Sequence, residues 1–256
     1  MDQRDTFDGA AEHYAAVRPG YPAALYDALG ELGVLGQATR ALEVGCGAGQ
    51  ATTDLARRAG DLVALDPGPR LVEEARARVT GLNVEFVVAR FEDYVSPPGV
   101  FDLVASAQAW HWIPAEVGFP KAARLLRPGG CLAVFGHAWP SLAEALPGAM
   151  APMVKETLPG AWERPHPSAG YRSSGPLPGL FAASGLFGGV EHRTFGVDVE
   201  MSPERFGRFL RTSAGYHLLP EAERFAVFDR LTGAMERAGG VYRARLESQL
   251  YVARRL

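Results

Sequence analysis

Lysine is nearly missing from this chain: Lys121 and Lys155 are the only two among 256 residues. Asn83 is the only asparagine and Ile113 the only isoleucine. Arginine carries almost all the positive charge, and alanine, glycine and proline are abundant, a composition that fits GC-rich bacterial coding. The lysine enrichment of heat-adapted proteins is missing as well. Cysteine is scarce. Cys46 and Cys131 each lie in or beside an apolar run and lack metal-ligand spacing, which argues against a zinc site or a disulfide scaffold. A reducing, cytoplasmic setting is therefore expected. No uninterrupted apolar stretch is long enough to span a bilayer, so no membrane partner is expected. The polar start, Met1 to Asp5, leads into no apolar signal core, and no secretion signal is read. A strong positive balance is lacking too. The net charge is −3, which does not suggest a nucleic-acid footprint. From Met201 onward ten arginines face six acidic residues, a pattern read as solvated helix faces.

What is present is a packed globular chain. Apolar residues make up 47% of it, ample for one α/β domain with an attached subdomain. Residues 5–36 read as helical, broken at Pro19-Gly20-Tyr21-Pro22. Strand-like runs follow at Arg40 to Val44, Leu62 to Asp66, Val84 to Ala89, Phe101 to Ala105 and Cys131 to Gly136. Helical runs alternate with them at Gln50 to Arg58, Pro69 to Val79 and Ala115 to Leu126, and Arg127 to Gly130 reads as a turn. This pattern predicts a doubly wound, mostly parallel α/β sheet with helices on both faces. Right-handed crossovers bring the carboxyl ends of the strands to one edge, where ligands bind near the reversal of strand order. Four regions are expected: a helical cap over 1–36, a core over 37–137, an insertion or helical lid over 138–188, and strands and helices over 189–256 that complete the same domain. Within the last, 189–200 reads as a strand, Pro203 to Thr212 and Pro220 to Ala238 as helices, and Val241 to Leu256 as an edge strand.

The sharpest local signal is Ala41-Leu42-Glu43-Val44-Gly45-Cys46-Gly47-Ala48-Gly49. An apolar strand ends in a glycine turn and a helix begins, the unit that holds nucleotide-like ligands. A dinucleotide fingerprint would place its third glycine at Gln50, one residue later than Gly49. A Walker A loop would need Lys and Ser or Thr where Gln50 and Ala51 stand. The turn therefore suits close approach of a ligand without a demanding phosphate cradle. Asp66 ends the second strand 21 residues after Gly45, where a carboxylate can accept from a ribose diol; capping the next helix is its other role. Glu43 lies inside an apolar strand. A buried carboxylate costs several kcal/mol unless paired, so some donor must reach it: a ligand ammonium, an arginine or a backbone amide.

With Leu65-Asp66-Pro67, Phe101-Asp102-Leu103-Val104 and Leu125-Leu126-Arg127-Pro128-Gly129-Gly130, the glycine motif resembles Rossmann-like S-adenosylmethionine-dependent methyltransferases over roughly 35–137. The opening Phe7-Asp8 through Tyr14, Arg18 to Pro22, and Ala107 to Trp112 are similar to the group that includes trans-aconitate methyltransferase. The resemblance implies S-adenosyl-L-methionine as cofactor and S-adenosyl-L-homocysteine as product. Gly45 and Gly47 would let the backbone pass the methionine and ribose parts, and Cys46 between them would belong to the cofactor site. Asp66 would hold the ribose, and Pro67 would pack on adenine beside Arg90, Phe91 and Glu92. Glu43 would serve the cofactor, and Gln108 would lie under its methionine part. Tyr14 and Arg18 would cap it. Many relatives carry a small or acidic residue where this chain has Arg90, whose guanidinium cannot accept from an adenine amino group.

The acceptor end is less determinate. Trp110-His111-Trp112 reads two ways: aromatic walls with His111 as the catalytic group beside the methyl, or tryptophans packing a lid with His111 capping the helix after Pro114. His137 is a second candidate, beside the ordinary role of a core histidine. Tyr171, Arg172, Arg211, Tyr216 and His217 are candidates to face the acceptor from the lid. The fourth strand has no Asn-Pro-Pro-Tyr-type tetrad, which argues against a DNA-base or protein-amide acceptor. The expected activity is methyl transfer to a small molecule, at an oxygen of an organic acid or similar metabolite. A quinone or natural-product acceptor, a nicotinamide-dependent oxidoreductase and a non-catalytic nucleoside binder are the alternatives. The chain is expected to be a monomer or a homodimer.

Overall fold

The computed structural model describes residues 20–138, 156, 170–205, 207, 220–237 and 240–256. Tyr14, Arg18, Arg211, Tyr216 and His217, most of the expected insertion and most of the expected helix at 203–212 lie outside the described residues. In chain order the described strands are β1 (Arg40–Val44), β2 (Asp61–Asp66), β3 (Val84–Val88), β4 (Phe101–Ala107), β5 (Leu126–Ala138), β6 (Glu191–Met201) and β7 (Tyr242–Arg254). The helices are α1 (Ala23–Glu31), α2 (Thr52–Arg58), α3 (Pro69–Arg78), α4 (Ala115–Leu125), α5 (Leu177–Ser184) and α6 (Glu221–Arg237), with a 3-10 turn over Trp110–Trp112.

The strands form one sheet in the order β3-β2-β1-β4-β5-β7-β6. β1 to β5 run parallel. Residues of β1 feed both layers: Ala41 joins the core under α1, α2 and α3, while Leu42 and Val44 join the core under α4 and α5. Burial on both faces is why these strands read as continuous apolar runs. Local chemistry sets the helix ends. Pro69 opens α3, where its missing N–H costs nothing, and Arg76 and Arg78 occupy the last turn beside the negative end of the dipole. α5 stops at Gly185, whose φ of 63° is left-handed. In the second core Phe119 of α4 meets Trp110, Phe181 and Phe187 edge-on.

Two expectations need correction. The C-terminal strand is not at the edge. β7 lies between β5 and β6, antiparallel to both, and β6 is the edge strand. Leu246, Leu250, Tyr251 and Val252 of β7 are buried, in keeping with an interior strand. The turn expected at Arg127 to Gly130 is instead absorbed into β5. The pairing with β4 jumps from Phe101↔Leu126 to Leu103↔Cys131, and Gly129 takes a φ of 74°.

Candidate active site

The strand order reverses between β1 and β4, and the loops leaving these two strands meet there. After β1, Gly45, Gly47 and Gly49 take φ values of 75°, 53° and 84°, the left-handed region that favours glycine. At Gly45 space is decisive as well. A β-carbon there would sit 2.2 Å from Ala109 Cβ on the opposite loop. At Gly49 it would sit 3.2 Å from Ala75 Cα, so the third glycine serves packing against α3. The amides of Gly45 and Cys46 both donate to the Leu65 carbonyl, which ties the turn to the end of β2.

Asp66 joins the same two turns. Its Oδ2 accepts from Gly47 N at 2.9 Å and its Oδ1 from Gly68 N at 2.9 Å. Gly68, not Asp66, is the N-cap of α3, with no side-chain capping bond. Each carboxylate oxygen keeps acceptor capacity for a further donor. A cleft runs from Asp66 and Pro67, past Arg90, Phe91 and Glu92, to Gln108 and Trp112. Lys121 of α4 steadies the far wall: its Nζ donates to the Glu92 carbonyl at 2.7 Å and stands 5.5 Å from the Phe91 ring centroid. Burial, with Arg124 nearby, pushes the Lys121 ammonium downward.

A second cavity opens on the other side of the glycine turn. Tyr21, Glu43, Gln50, Gln108 and His137 line it, with Gly45 and Gly47 shared between the two. Glu43 is 0% exposed, and neither of its oxygens has a hydrogen-bond partner among the described residues. Burial pushes its carboxyl up to about 7, with the Asp66 charge adding to the effect. The Thr52 hydroxyl pulls the other way, yet the two do not meet hydrogen-bond geometry. Cys46, inside the turn, is raised well above its ordinary value by burial and stays a neutral thiol rather than a nucleophile.

Gln108 bridges the cavities in an unusual conformation. Its φ is 56°, the one left-handed value at a non-glycine among the described residues. Its N–H donates to the Phe135 carbonyl at 2.8 Å, and its Oε1 accepts from His137 N at 2.7 Å. The side chain thus extends the β4–β5 ladder beyond the strand end. What it can offer a ligand is its NH2 group.

Of the aromatic run, Trp112 lines the first cleft, while Trp110 does not. Trp110 is buried between Phe91 and Phe119, where the missing side chain of Gly118 leaves room for its indole. It is a core residue beneath the site rather than a wall. His111 does not cap α4, whose N-cap Pro114 has no side-chain capping bond. Its Nδ1 lies 3.3 Å from the hydroxyl of buried Tyr171. Tyr171 packs against Gly136, where a β-carbon would lie 2.6 Å from its ring. Tyr251 of β7 donates to the carbonyls of Tyr171 and Arg172 at 3.1 and 2.9 Å, which holds Arg172 beside this cluster through its backbone. Lys121 and Ser248 take part in the site without any local signal in the sequence: Lys121 through the Glu92 carbonyl, and Ser248 through His137 Nδ1, 3.0 Å from its Oγ. Among the described residues no group of His, Cys, Asp and Glu could hold a metal ion, and no described helix is long and apolar enough to cross a membrane.

Comparison with known proteins agrees with this geometry. Residues 41–130 match the family described as Methyltransferase domain. An uncharacterised methyltransferase of Mycobacterium tuberculosis is 34% identical over 145 residues, 57% of this chain and 56% of that protein. A ubiquinone biosynthesis O-methyltransferase of Methylocella silvestris is 33% identical over 115 residues, 43% of this chain and 45% of that protein. The chain spans about half the length of these curated relatives. A solved structure from Anaeromyxobacter dehalogenans, provisionally described as a type II methyltransferase, superposes with a TM-score of 0.64 at 25% identity, covering 94% of this chain and 97% of that one. In sequence from 41 to 130, and in fold over nearly its whole length, the chain is similar to Rossmann-like methyltransferases.

Proposed function

We propose that this chain is an S-adenosylmethionine-dependent methyltransferase acting on an oxygen of a small-molecule acceptor. The observation that carries the reading is the pairing of a β-carbon-free turn at Gly45 with Asp66 at the reversal of strand order. The residues fit this cofactor. Gly45 leaves a cradle that any side chain would fill. Asp66, anchored by two amides, accepts from the ribose hydroxyls. Pro67 and Phe91 flank adenine, with Arg90 and Glu92 at its edge. Glu43, buried and without a hydrogen-bond partner among the described residues, suits the cofactor's ammonium group. The resemblance assigns Tyr14 and Arg18, which lie outside the described residues, to the cofactor as well. Cys46 contributes main chain only.

When bound, the cofactor supplies an electrophilic methyl on a sulfonium, and positive charge is lost as the methyl leaves. The protein's task is then alignment and exclusion of water more than acid or base chemistry. Gln108 stands where both cavities meet and orients the methionine end. Trp112 walls the methyl side. We assign to the acceptor His137, which lines the second cavity, His111, beside the Tyr171 hydroxyl, and Arg172. An organic-acid acceptor needs no base, whereas a hydroxyl acceptor does. The two histidines support the hydroxyl, as does the similarity to a ubiquinone biosynthesis O-methyltransferase.

Calorimetry with S-adenosylhomocysteine and with NADH tests the cofactor. Binding of NADH but not S-adenosylhomocysteine would overturn the reading. Radiolabelled methyl transfer to a metabolite pool tests turnover; tight cofactor binding with no transfer would make the chain a binder rather than an enzyme.

A further inference from the structure

We propose that the cofactor's ammonium group and a proton compete for the Glu43 carboxyl, so that binding expels one proton and acid loosens the cofactor. The inference rests on reading the second cavity as part of a methyl-transfer site, and it concerns the regulation of that site. Glu43 lines the cavity with Gly45, Gly47 and Gln108. It is fully buried, and neither carboxyl oxygen has a hydrogen-bond partner among the described residues.

The neighbours of Glu43 supply no compensating charge. In the sheet it lies between Ala64 of β2 and Ala105 of β4, which carry no polar side chain. Thr52 of α2 and Tyr26 of α1, which both act on its surroundings, are fully buried too, and neither hydroxyl has a partner among the described residues. Asp66 of β2 adds a like charge. Burial, then the charges of Asp54 and Glu43, push the Tyr26 hydroxyl up. The cation of this region, Arg58 of α2, is turned elsewhere: it pairs with Asp54 and Asp27 and stands 5.2 Å from the Tyr26 ring centroid. The other ionisable groups on the cavity are Tyr21 from the segment before α1, Cys46 from the turn and His137 from β5. Among the described residues no arginine or lysine pairs with Glu43.

An ionised carboxylate in such a place is costly, and either a proton or a cation relieves it. In the free chain the proton does so. Burial first, with the Asp66 charge behind it, pushes the carboxyl up to about 7, against the pull of Thr52. A ligand ammonium favours the ionised form instead. The carboxyl proton leaves to solvent, and carboxylate and ammonium remain as an ion pair. Linkage then fixes the sign: the free chain holds the proton more tightly than the complex, so affinity for the cofactor rises with pH and levels off above about 7. The product carries the same ammonium, so acid loosens it as well. A carboxyl that merely filled the core would keep its proton whatever occupied the cavity.

The test is calorimetry of S-adenosylhomocysteine binding to the full chain, in buffers of differing ionisation enthalpy, which counts the protons released. Failure to bind at any pH would sink the reading of the cavity itself, apart from the proton. Given binding, the expected release is about one proton near pH ~6 and close to none near pH ~8, with Kd about tenfold weaker at the lower pH. Glu43→Gln should release no proton and keep Kd within about twofold across the same range. Carbon-13 spectra of glutamate-labelled protein read the same event in the unaltered chain. One carboxyl signal should titrate near 7 without ligand and stay ionised near pH ~6 with S-adenosylhomocysteine bound. Binding near pH ~6 without proton release, or release that persists in Glu43→Gln, overturns the proposal.

Discussion

The two halves of the sheet build the site by different means. On the parallel side, β1, β2 and their turns work through main chain: three left-handed glycines, amides aimed at Asp66, and a turn so close to the opposite loop that Gly45 admits no β-carbon. On the antiparallel side, β7 works through side chains. Ser248 meets His137, and Tyr251 holds the carbonyls of Tyr171 and Arg172. Outside them, Thr194 and His192 of the edge strand both reach Gln249 Oε1. On the proposed reading, the main-chain half holds the cofactor and the side-chain half faces the acceptor.

That division can be broken experimentally. The largest effect is expected at Gly45. Gly45→Ala meets both a positive φ and a 2.2 Å contact, and should lower stability by about 2–4 kcal/mol and abolish S-adenosylhomocysteine binding. Calorimetry and thermal unfolding read the two losses; a variant that binds normally would mean the turn does not carry the cofactor. Next is Glu43. Its folded-state carboxyl is raised from the ordinary 4.5 to about 7, so the folded protein holds that proton more tightly than the unfolded chain. This contribution to stability is fully present below about 4.5 and is lost as pH rises to about 7. The loss is on the order of 3 kcal/mol. Cofactor-free Glu43→Gln should show a correspondingly flatter unfolding profile between these limits and weaker S-adenosylhomocysteine binding; parallel profiles would show that the carboxylate finds a partner in the folded chain.

Asp66→Ala should weaken cofactor binding by about 1–3 kcal/mol, since two hydroxyls lose an acceptor and two turn amides lose their anchor. Unchanged affinity would remove Asp66 from the site. The smallest effect sharpens the comparison from the other half. Tyr251→Phe removes a hydroxyl that serves two carbonyls and should cost about 1–2 kcal/mol of stability. It should raise the acceptor's KM while leaving the cofactor's affinity as it was. Equal losses at both ends would show that the halves are coupled.

The parallel half was readable from residue order because its signals are local. A glycine turn, the acid at the end of the next strand and the alternation of apolar runs all lie within short windows, and the observed β1 to β4 begin and end within two residues of their expected limits. The acceptor half resisted because its contacts are long-range. Nothing near Trp110 in the chain says that Gly118 makes room for it, and nothing near His137 says that Ser248 will stand opposite. The interior place of β7 is hidden from residue order for the same reason. Interior and edge strands of an antiparallel pair differ in which neighbour covers them, and short-range alternation does not encode that.

Residue order alone was enough to establish the α/β sheet, the glycine turn and the carboxylates beside it, because steric freedom at glycine and the cost of burying charge act on each residue where it stands. The antiparallel insertion of β7, the retreat of Trp110 into the core and the meeting of His137 with Ser248 were settled only by packing. Each depends on which distant surface closes over the residue, and that is a property of the folded chain as a whole.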